Sequence, residues 1–393
     1  MTMNQALGTN SPRDGETIKL FLGGDLMTGR GIDQILPTPS DPRLFESYVT
    51  TATTYLDLAE AVNGPIPRPV DVAYPWGDAL TEIAQAAPDA RIVNLETAIT
   101  RSDNVWAQKS VNYRMHPANI GCLTAAAIDC CVLANNHSLD WGYQGLDETL
   151  ATLRGVGVCS AGAGRDIAAA AAPAVLNIAG KGRVLVFAFG SPTSGIPPSW
   201  AATKSRAGIN LLDELSAQAV DEVARAIQSM RRLRDIVVAS IHWGGNWGYD
   251  IADEYRDFAY RLIDDAGVDL IHGHSSHHAK GIEVYRGRPI LYGCGDLLND
   301  YEGIRGYEAF RDDLVLMYFA GMDPSGQRLV KLEMTPLQIK KFRLNYPSAA
   351  DLKWLHDRLN HECAQFGYRL ELRESAPRTL RLIEALAAPS AQG

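Results

Sequence analysis

Short apolar runs recur along the first 280 residues, separated by helix-length segments whose apolar positions return every three or four residues. The pattern predicts strands over Ile18–Gly23, Arg91–Leu95, Cys130–Ala134, Val184–Phe189, Ile236–Ile241 and Val268–Ile271. Between them it predicts helices over Pro42–Ala61, Asp78–Gln85, Pro117–Ala127, Leu146–Arg154, Leu212–Arg232 and Asp253–Ala266. Strands punctuated by helices argue for a layered α/β fold. Beyond residue 280 the runs Ile282–Tyr285, Pro289–Tyr292, Leu314–Phe319 and Leu329–Met334 follow one another with little between them, as antiparallel strands would. A helical pattern returns after residue 349, with Asp351–Leu359 and Pro377–Leu386 as the expected helices. The organisation expected is a disordered segment over 1–17, one domain over 18–345, and a small C-terminal helical extension over 346–393.

Unusual polar residues sit where the predicted strands end. The first strand runs into Gly24-Asp25, the second into Asn94-Leu95-Glu96, and the third into Asn135-Asn136-His137. The fifth ends at His242, and the sixth runs into His272-Gly273-His274-Ser275-Ser276-His277-His278. Each alone has a plain structural account: a turn, a helix cap, or a hydrogen-bonded core histidine. Four histidines within seven residues are harder to explain by packing. In α/β sheets, ligands bind just outside the carboxyl ends of the strands, so these side chains have a reason to converge. A mixed set of carboxylate, amide and imidazole donors suits a divalent ion such as Mn, Zn or Fe, with Mg or Ca as oxygen-preferring options.

Composition narrows the partners. The chain has 393 residues, with 37 Lys and Arg against 46 Asp and Glu, a net charge of −9. That acidic balance argues against a nucleic-acid binder, which would carry a basic face. No run of ~18 apolar residues is present to span a membrane. The first 17 residues are polar and lack a signal-peptide apolar stretch, so a cytoplasmic location is expected. Six cysteines form no C-x-x-C pair, and adjacent Cys130 and Cys131 lie in an apolar run, as buried small hydrophobes do.

The runs GGDLMTGRG, VNLETAI, LANNHSLDWG, SIHWGGNWGY and IHGHSSHHAKGIEVY followed by ILYGCGDLLNDYEG resemble the CapA family. These proteins are named for poly-γ-glutamate capsule synthesis, and their domain is similar to calcineurin-like metallophosphoesterases. The resemblance covers roughly residues 18–320. It implies a metallophosphoesterase-like β-sandwich flanked by helices, in an α/β/β/α order of four layers. It also implies metal ligands at Asp25, Glu96, Asn136, His242, His274 and His277, with Glu96 in the bridging position. His137 would donate a proton to the leaving group, oriented by Asp140. Met27 stands where the family pattern has a histidine, so one site (Asp25, Glu96, His277) is expected to be depleted. The other (Glu96, Asn136, His242, His274) is complete, which predicts one tight ion and at most a weak second one.

An anionic small molecule or peptide is the expected substrate, contacted by Arg30, Arg114, Trp243 and Asn135, with Trp200, Trp247 and Tyr249 along a cleft wall. The favoured reading is metal-dependent hydrolysis of a phosphoester, amide or peptide bond. A second keeps the metal and makes the protein a peptide epimerase, as in lasso-peptide maturation, with Asp25 shuttling a Cα proton. A third is a non-catalytic partner in capsule assembly.

Overall fold

The computed structural model describes residues 16–373 and 378–385. The strands that carry the architecture are, in chain order, β1 (Ile18–Leu26), β2 (Ala90–Leu95), β3 (Cys130–Val132), β4 (Gly182–Gly190), β5 (Ile236–His242), β6 (Leu270–His274), β7 (Asp296–Leu298), β8 (Leu314–Asp323) and β9 (Arg328–Ile339). The helices used below are α1 (Arg30–Ile35), α2 (Thr53–Asn63), α3 (Ala79–Ala86), α4 (Gly142–Gly155), α5 (Ala217–Met230), α6 (Asp253–Asp264) and α7 (Ala349–Ala364).

One mixed sheet places β9, β8, β1, β2 and β3 side by side, with β7 added parallel to the end of β1. In it β1, β2 and β3 are parallel, while β8 runs antiparallel to both β1 and β9. A second sheet has the parallel set β4, β5 and β6 at its centre, with antiparallel strands at both edges. Side chains alternate across each strand, and the alternation sorts the core. Leu20 and Leu22 of β1 share one cluster with Val184 and Val186 of β4 and Val238 of β5. The two sheets therefore face each other across a common core. Phe21 points the other way, into a cluster with Ile32, Leu56, Ile83 and Leu146 from four helices. On the far side, Phe187 and Val237 meet Val223 of α5 and Phe258 of α6. Each such buried side chain contributes roughly 1.5–3 kcal/mol relative to exposure.

Several sequence expectations need correction. Pro42–Ala61 is helical only from Thr53 onward. Residues before it form a closed loop, with Ala52 N donating to Pro42 O and Leu44 N to Thr50 O. The segment holds Val49, Thr50 and Thr51, whose branched side chains disfavour a helix. Leu212–Arg232 shortens to α5, capped by the Ser216 hydroxyl on Ala219 N. Pro117–Ala127 splits into a 3-10 turn at Pro117–Asn119 and a short helix at Gly121–Ala125. The helix expected at Pro377–Leu386 is a strand, Thr379–Glu384, paired with Tyr368–Arg373 and with β9. Leu380 and Leu382 are buried while their neighbours are not fully so, a period of two rather than 3.6. The C-terminal region is therefore α7 plus a hairpin that extends the large sheet, not a helical extension. Most of the N-terminal segment over 1–17 and the final APSAQG lie outside the described residues. Among the described residues no helix is long and apolar enough to cross a membrane.

Candidate metal centre

The parallel strands deliver the polar residues to one place. Asp25 near the end of β1 pairs in register with Asn94 of β2 and with Asp296 at the start of β7. In the second sheet His242, the last residue of β5, pairs with His274, the last of β6. The register between β1 and β2 slips across Gly24. A Cβ on Gly24 would sit 1.8 Å from the carbonyl oxygen of Gly295. Glycine is thus required there, and it lets the Gly295-Asp296 chain close onto β1 through the Asp25 N to Gly295 O bond of 3.0 Å.

Asp25 is the hub. Its Oδ1 accepts from Asn94 Nδ2 at 2.7 Å and its Oδ2 from Ser275 N at 3.2 Å. Asn94 is itself oriented by Asn135, whose Nδ2 donates to Asn94 Oδ1 at 3.0 Å. Two sets of donor atoms meet at Asp25, each lying within 4.8 Å of one another: Asp25 with His242 and His274, and Asp25 with Glu96, His277 and Asp296. In the first set the two Nδ1 atoms are 2.8 Å apart and lie 4.0 and 3.7 Å from Asp25 Oδ1. The other edge of His242 faces Asn136 Oδ1 at 3.1 Å and Glu96 Oε1 at 3.8 Å from Nε2. The His242 ring therefore divides the expected set of Glu96, Asn136, His242 and His274. The shared carboxylate between the two donor sets is Asp25, not Glu96.

The set expected to be depleted is not. Asp296 supplies a fourth donor beside Asp25, Glu96 and His277, and it hydrogen-bonds His277 Nδ1 at 2.9 Å. Nothing in this geometry makes one set much poorer than the other, so the expectation of a single tight ion loses its basis. Asn299 steadies Asp296 by donating to its Oδ2 at 2.7 Å.

The electrostatics fit a divalent cation. Burial, then the charge of Asp296, pushes the Asp25 carboxyl up to about 7. Burial, then the charges of Asp25 and Asp296, holds Glu96 well above the usual carboxylate range. Burial lowers His242 and His274, so their imidazoles are neutral donors. For His277 burial acts downward, but the Asp296 carboxylate outweighs it and raises the group. Three crowded carboxylates repel one another in a dry site, and a cation with two charges relieves that while taking imidazole nitrogen as well.

His137 sits beside this centre. Its ring stacks on Tyr113 with centroids 3.8 Å apart, and its Nε2 lies 3.8 Å from Glu96 Oε1. Its Nδ1 is 2.7 Å from Asp140 Oδ2. A carboxylate only accepts, so Nδ1 carries the proton and Nε2 is bare. Burial lowers His137 to about 4. It is a proton acceptor before it can be the donor expected from sequence. Asp140 is buried and also takes bonds from Tyr113 N at 2.7 Å and Lys109 Nζ at 2.5 Å. Lys109 Nζ donates to Asp140 Oδ1 and Val111 O; it lies 2.9 Å from His137 Nδ1 without bonding the protonated nitrogen, and burial lowers its pKa.

Other expected contacts prove structural. Arg30 is buried and paired with Glu46 at 2.9 Å and Asp300 at 2.5 Å, under the Tyr55 ring at 3.8 Å. It has no free face for an anion. Arg114 is spent on Ser102 O, Asp103 and Asp41 O, and its guanidinium lies 3.9 Å from the Trp141 ring centroid. Trp243 packs in the outer core and donates to Tyr292 O at 2.9 Å. Asn135 uses both ends internally, donating to Leu95 O and accepting from His137 N. Trp200 is fully buried. Trp247 and Tyr249 do lie near the histidines: Trp247 stacks on Tyr307 at 4.1 Å with His277 at 5.3 Å, and Tyr249 meets His278 at 4.4 Å. His278 belongs to that aromatic group and not to either donor set.

Sequence reasoning missed Asp296 and Lys109. Asp296 follows a strand through GCGD, the same Gly-Asp ending as GGD before Asp25, and that likeness was the available signal. Lys109 lies in an irregular loop with no periodicity to mark it.

Comparison with known proteins identifies relatives of the chain. The chain is 47% identical over 359 residues to a probable polyglutamine synthesis accessory protein of Mycobacterium tuberculosis, covering 91% of this chain and 94% of the relative. It is 28% identical to the PGA biosynthesis protein CapA of Bacillus subtilis, covering 63% of this chain and 60% of that one. It is 22% identical to the capsule biosynthesis protein CapA of Bacillus anthracis, covering 86% and 71% respectively. With the signature of the bacterial capsule synthesis protein PGA_cap matched across residues 19–301, the chain belongs to that family.

Proposed function

We propose that the protein is a metal-dependent hydrolase of the metallophosphoesterase type, cleaving an amide bond in a glutamyl polymer or peptide. The observation that carries this reading is Asp25, one buried carboxylate shared by two donor sets, with the bare Nε2 of His137 next to Glu96. The facing sheets with helices on both outer sides support the fold assignment. The substrate class is supported by the relatives, whose names tie them to polyglutamine or PGA synthesis.

A divalent ion held by Asp25 with His242 and His274, or with Glu96, His277 and Asp296, would polarise the acyl oxygen and ease ionisation of water. His137 Nε2 takes the proton from the attacking water as the oxygen–carbon bond forms. Asp140 and Lys109 keep the ring oriented while it carries that proton. The imidazolium then hands the proton to the leaving nitrogen as the carbon–nitrogen bond breaks, which restores neutral His137. The epimerase alternative asks Asp25 to carry the proton. Both of its oxygens already accept hydrogen bonds, and it lies in both donor sets, which favours a holding role. The accessory role has one observation behind it, the word accessory in the name of the mycobacterial relative.

The test is release of new amine ends from poly-γ-glutamate by chelator-stripped protein before and after adding Mn²⁺ or Zn²⁺. His137→Gln should keep the metal and lose ~10²–10⁴-fold in rate. No metal-dependent release by the wild type, or full rate in His137→Gln, defeats the proposal.

A further inference from the structure

A chain of hydrogen bonds crosses from the large sheet to the small one behind the donor sets. His272 Nε2 lies 3.0 Å from the carbonyl of Gly23 on β1. His272 Nδ1 lies 3.0 Å from Ser240 Oγ on β5, and that hydroxyl lies 2.9 Å from His274 Nε2. All three side chains are fully buried. We infer that Ser240 and His272 are positioning residues that fix the tautomer of His274, leaving its Nδ1 lone pair bare within the donor set it forms with Asp25 and His242.

The direction of the chain is forced by its end. A carbonyl only accepts, so His272 donates from Nε2. Among the described residues no carboxylate hydrogen-bonds His272, and a second proton there would be a buried charge without a counter-ion. His272 Nδ1 is therefore an acceptor, and the one hydroxyl proton of Ser240 goes to it. The Ser240 oxygen then has only lone pairs left for His274, whose Nε2 must carry the proton. His274 Nδ1 is bare, 3.7 Å from Asp25 Oδ1 and 2.8 Å from His242 Nδ1. A ligand nitrogen is usually fixed in this way by the bond its other nitrogen makes. The chain has a second consequence, because a ligand histidine of one sheet is tied through His272 to the backbone just before Asp25 in the other.

The tautomer assignment stands on this geometry alone, and only its use in metal binding rests on the proposed function. Long-range proton–nitrogen NMR of ¹⁵N-histidine-labelled, metal-free protein reads the tautomers directly, with His272→Gln and His274→Gln spectra for assignment. His274 and His272 should both be protonated at Nε2. Zn²⁺ titration is the second measurement. Ser240→Ala should weaken Zn²⁺ binding by about 10–100-fold, and Ser240→Thr, which keeps the hydroxyl, should restore most of it. A His274 protonated at Nδ1 in the wild type, or unchanged affinity in Ser240→Ala, overturns the inference. The expected tautomers in a protein that binds no Zn²⁺ uphold the chain and remove the metal reading instead. Tight Zn²⁺ binding with the opposite tautomer does the reverse.

Discussion

At the scale of single residues, the same side-chain type does different work according to its neighbours. Arg30 looked like an anion clamp, but it is buried between Glu46 and Asp300 and holds the loop after β1. Removing one partner of a buried pair strands the others, at a cost of about 3–5 kcal/mol. Arg30→Gln should therefore lower unfolding free energy in urea by about that amount. A substrate clamp would instead raise KM at unchanged stability, and that result would contradict the assignment. Asp25 makes a prediction about pH. Its carboxyl is raised from 3.8 to about 7, so between those values the folded chain holds a proton the unfolded chain has released. Its contribution to stability is thus full at low pH and is lost as pH rises toward and through 7. In metal-free protein the melting temperature of Asp25→Asn should gain on the wild type as pH rises from 5 to about 7 and level off above that, and added divalent metal should reverse the order. A gap that stays flat with pH would mean that Asp25 is not held this way.

At the scale of elements, strands announced themselves better than their connections. The apolar runs ending at Asp25, Glu96, His137, His242 and His274 were legible because a parallel strand buried on both faces reads as continuous Val, Ile and Leu. The carboxyl ends of those strands then had to meet. What was not legible depended on long-range packing. Thr379–Glu384 is short, and the spacing of Leu382, Ile383 and Leu386 in the sequence imitates a helical stripe, while the period of two at Leu380 and Leu382 becomes decisive only with β9 there to pair with. Likewise β7 spans three residues and exists because Gly24 lets Gly295 approach. Asp296 went unassigned for that reason. The C-terminal hairpin makes its own prediction. Leu380 is buried in the core between the sheets, so Leu380→Ala should cost about 2–5 kcal/mol in chemical denaturation. A loss under ~0.5 kcal/mol would mean that the hairpin is a detachable appendage.

At the scale of the whole molecule, the centre lies where two sheets contribute complementary chemistry. The large sheet supplies Asp25 and Asp296 and the residue just after β2 supplies Glu96, while the small sheet and the loop after it supply His242, His274 and His277. Neither sheet holds a full donor set alone, so the metal reading is also a claim about how the sheets are docked. Because Asp25 belongs to both sets, losing its charge should weaken both at once. The most direct measurement is calorimetric titration of Zn²⁺ or Mn²⁺ into chelator-stripped wild type and Asp25→Asn at the same pH. The account predicts tight binding by the wild type and at least a tenfold loss of affinity in Asp25→Asn. Equal affinity in the two proteins, or no saturable binding by the wild type, would contradict it.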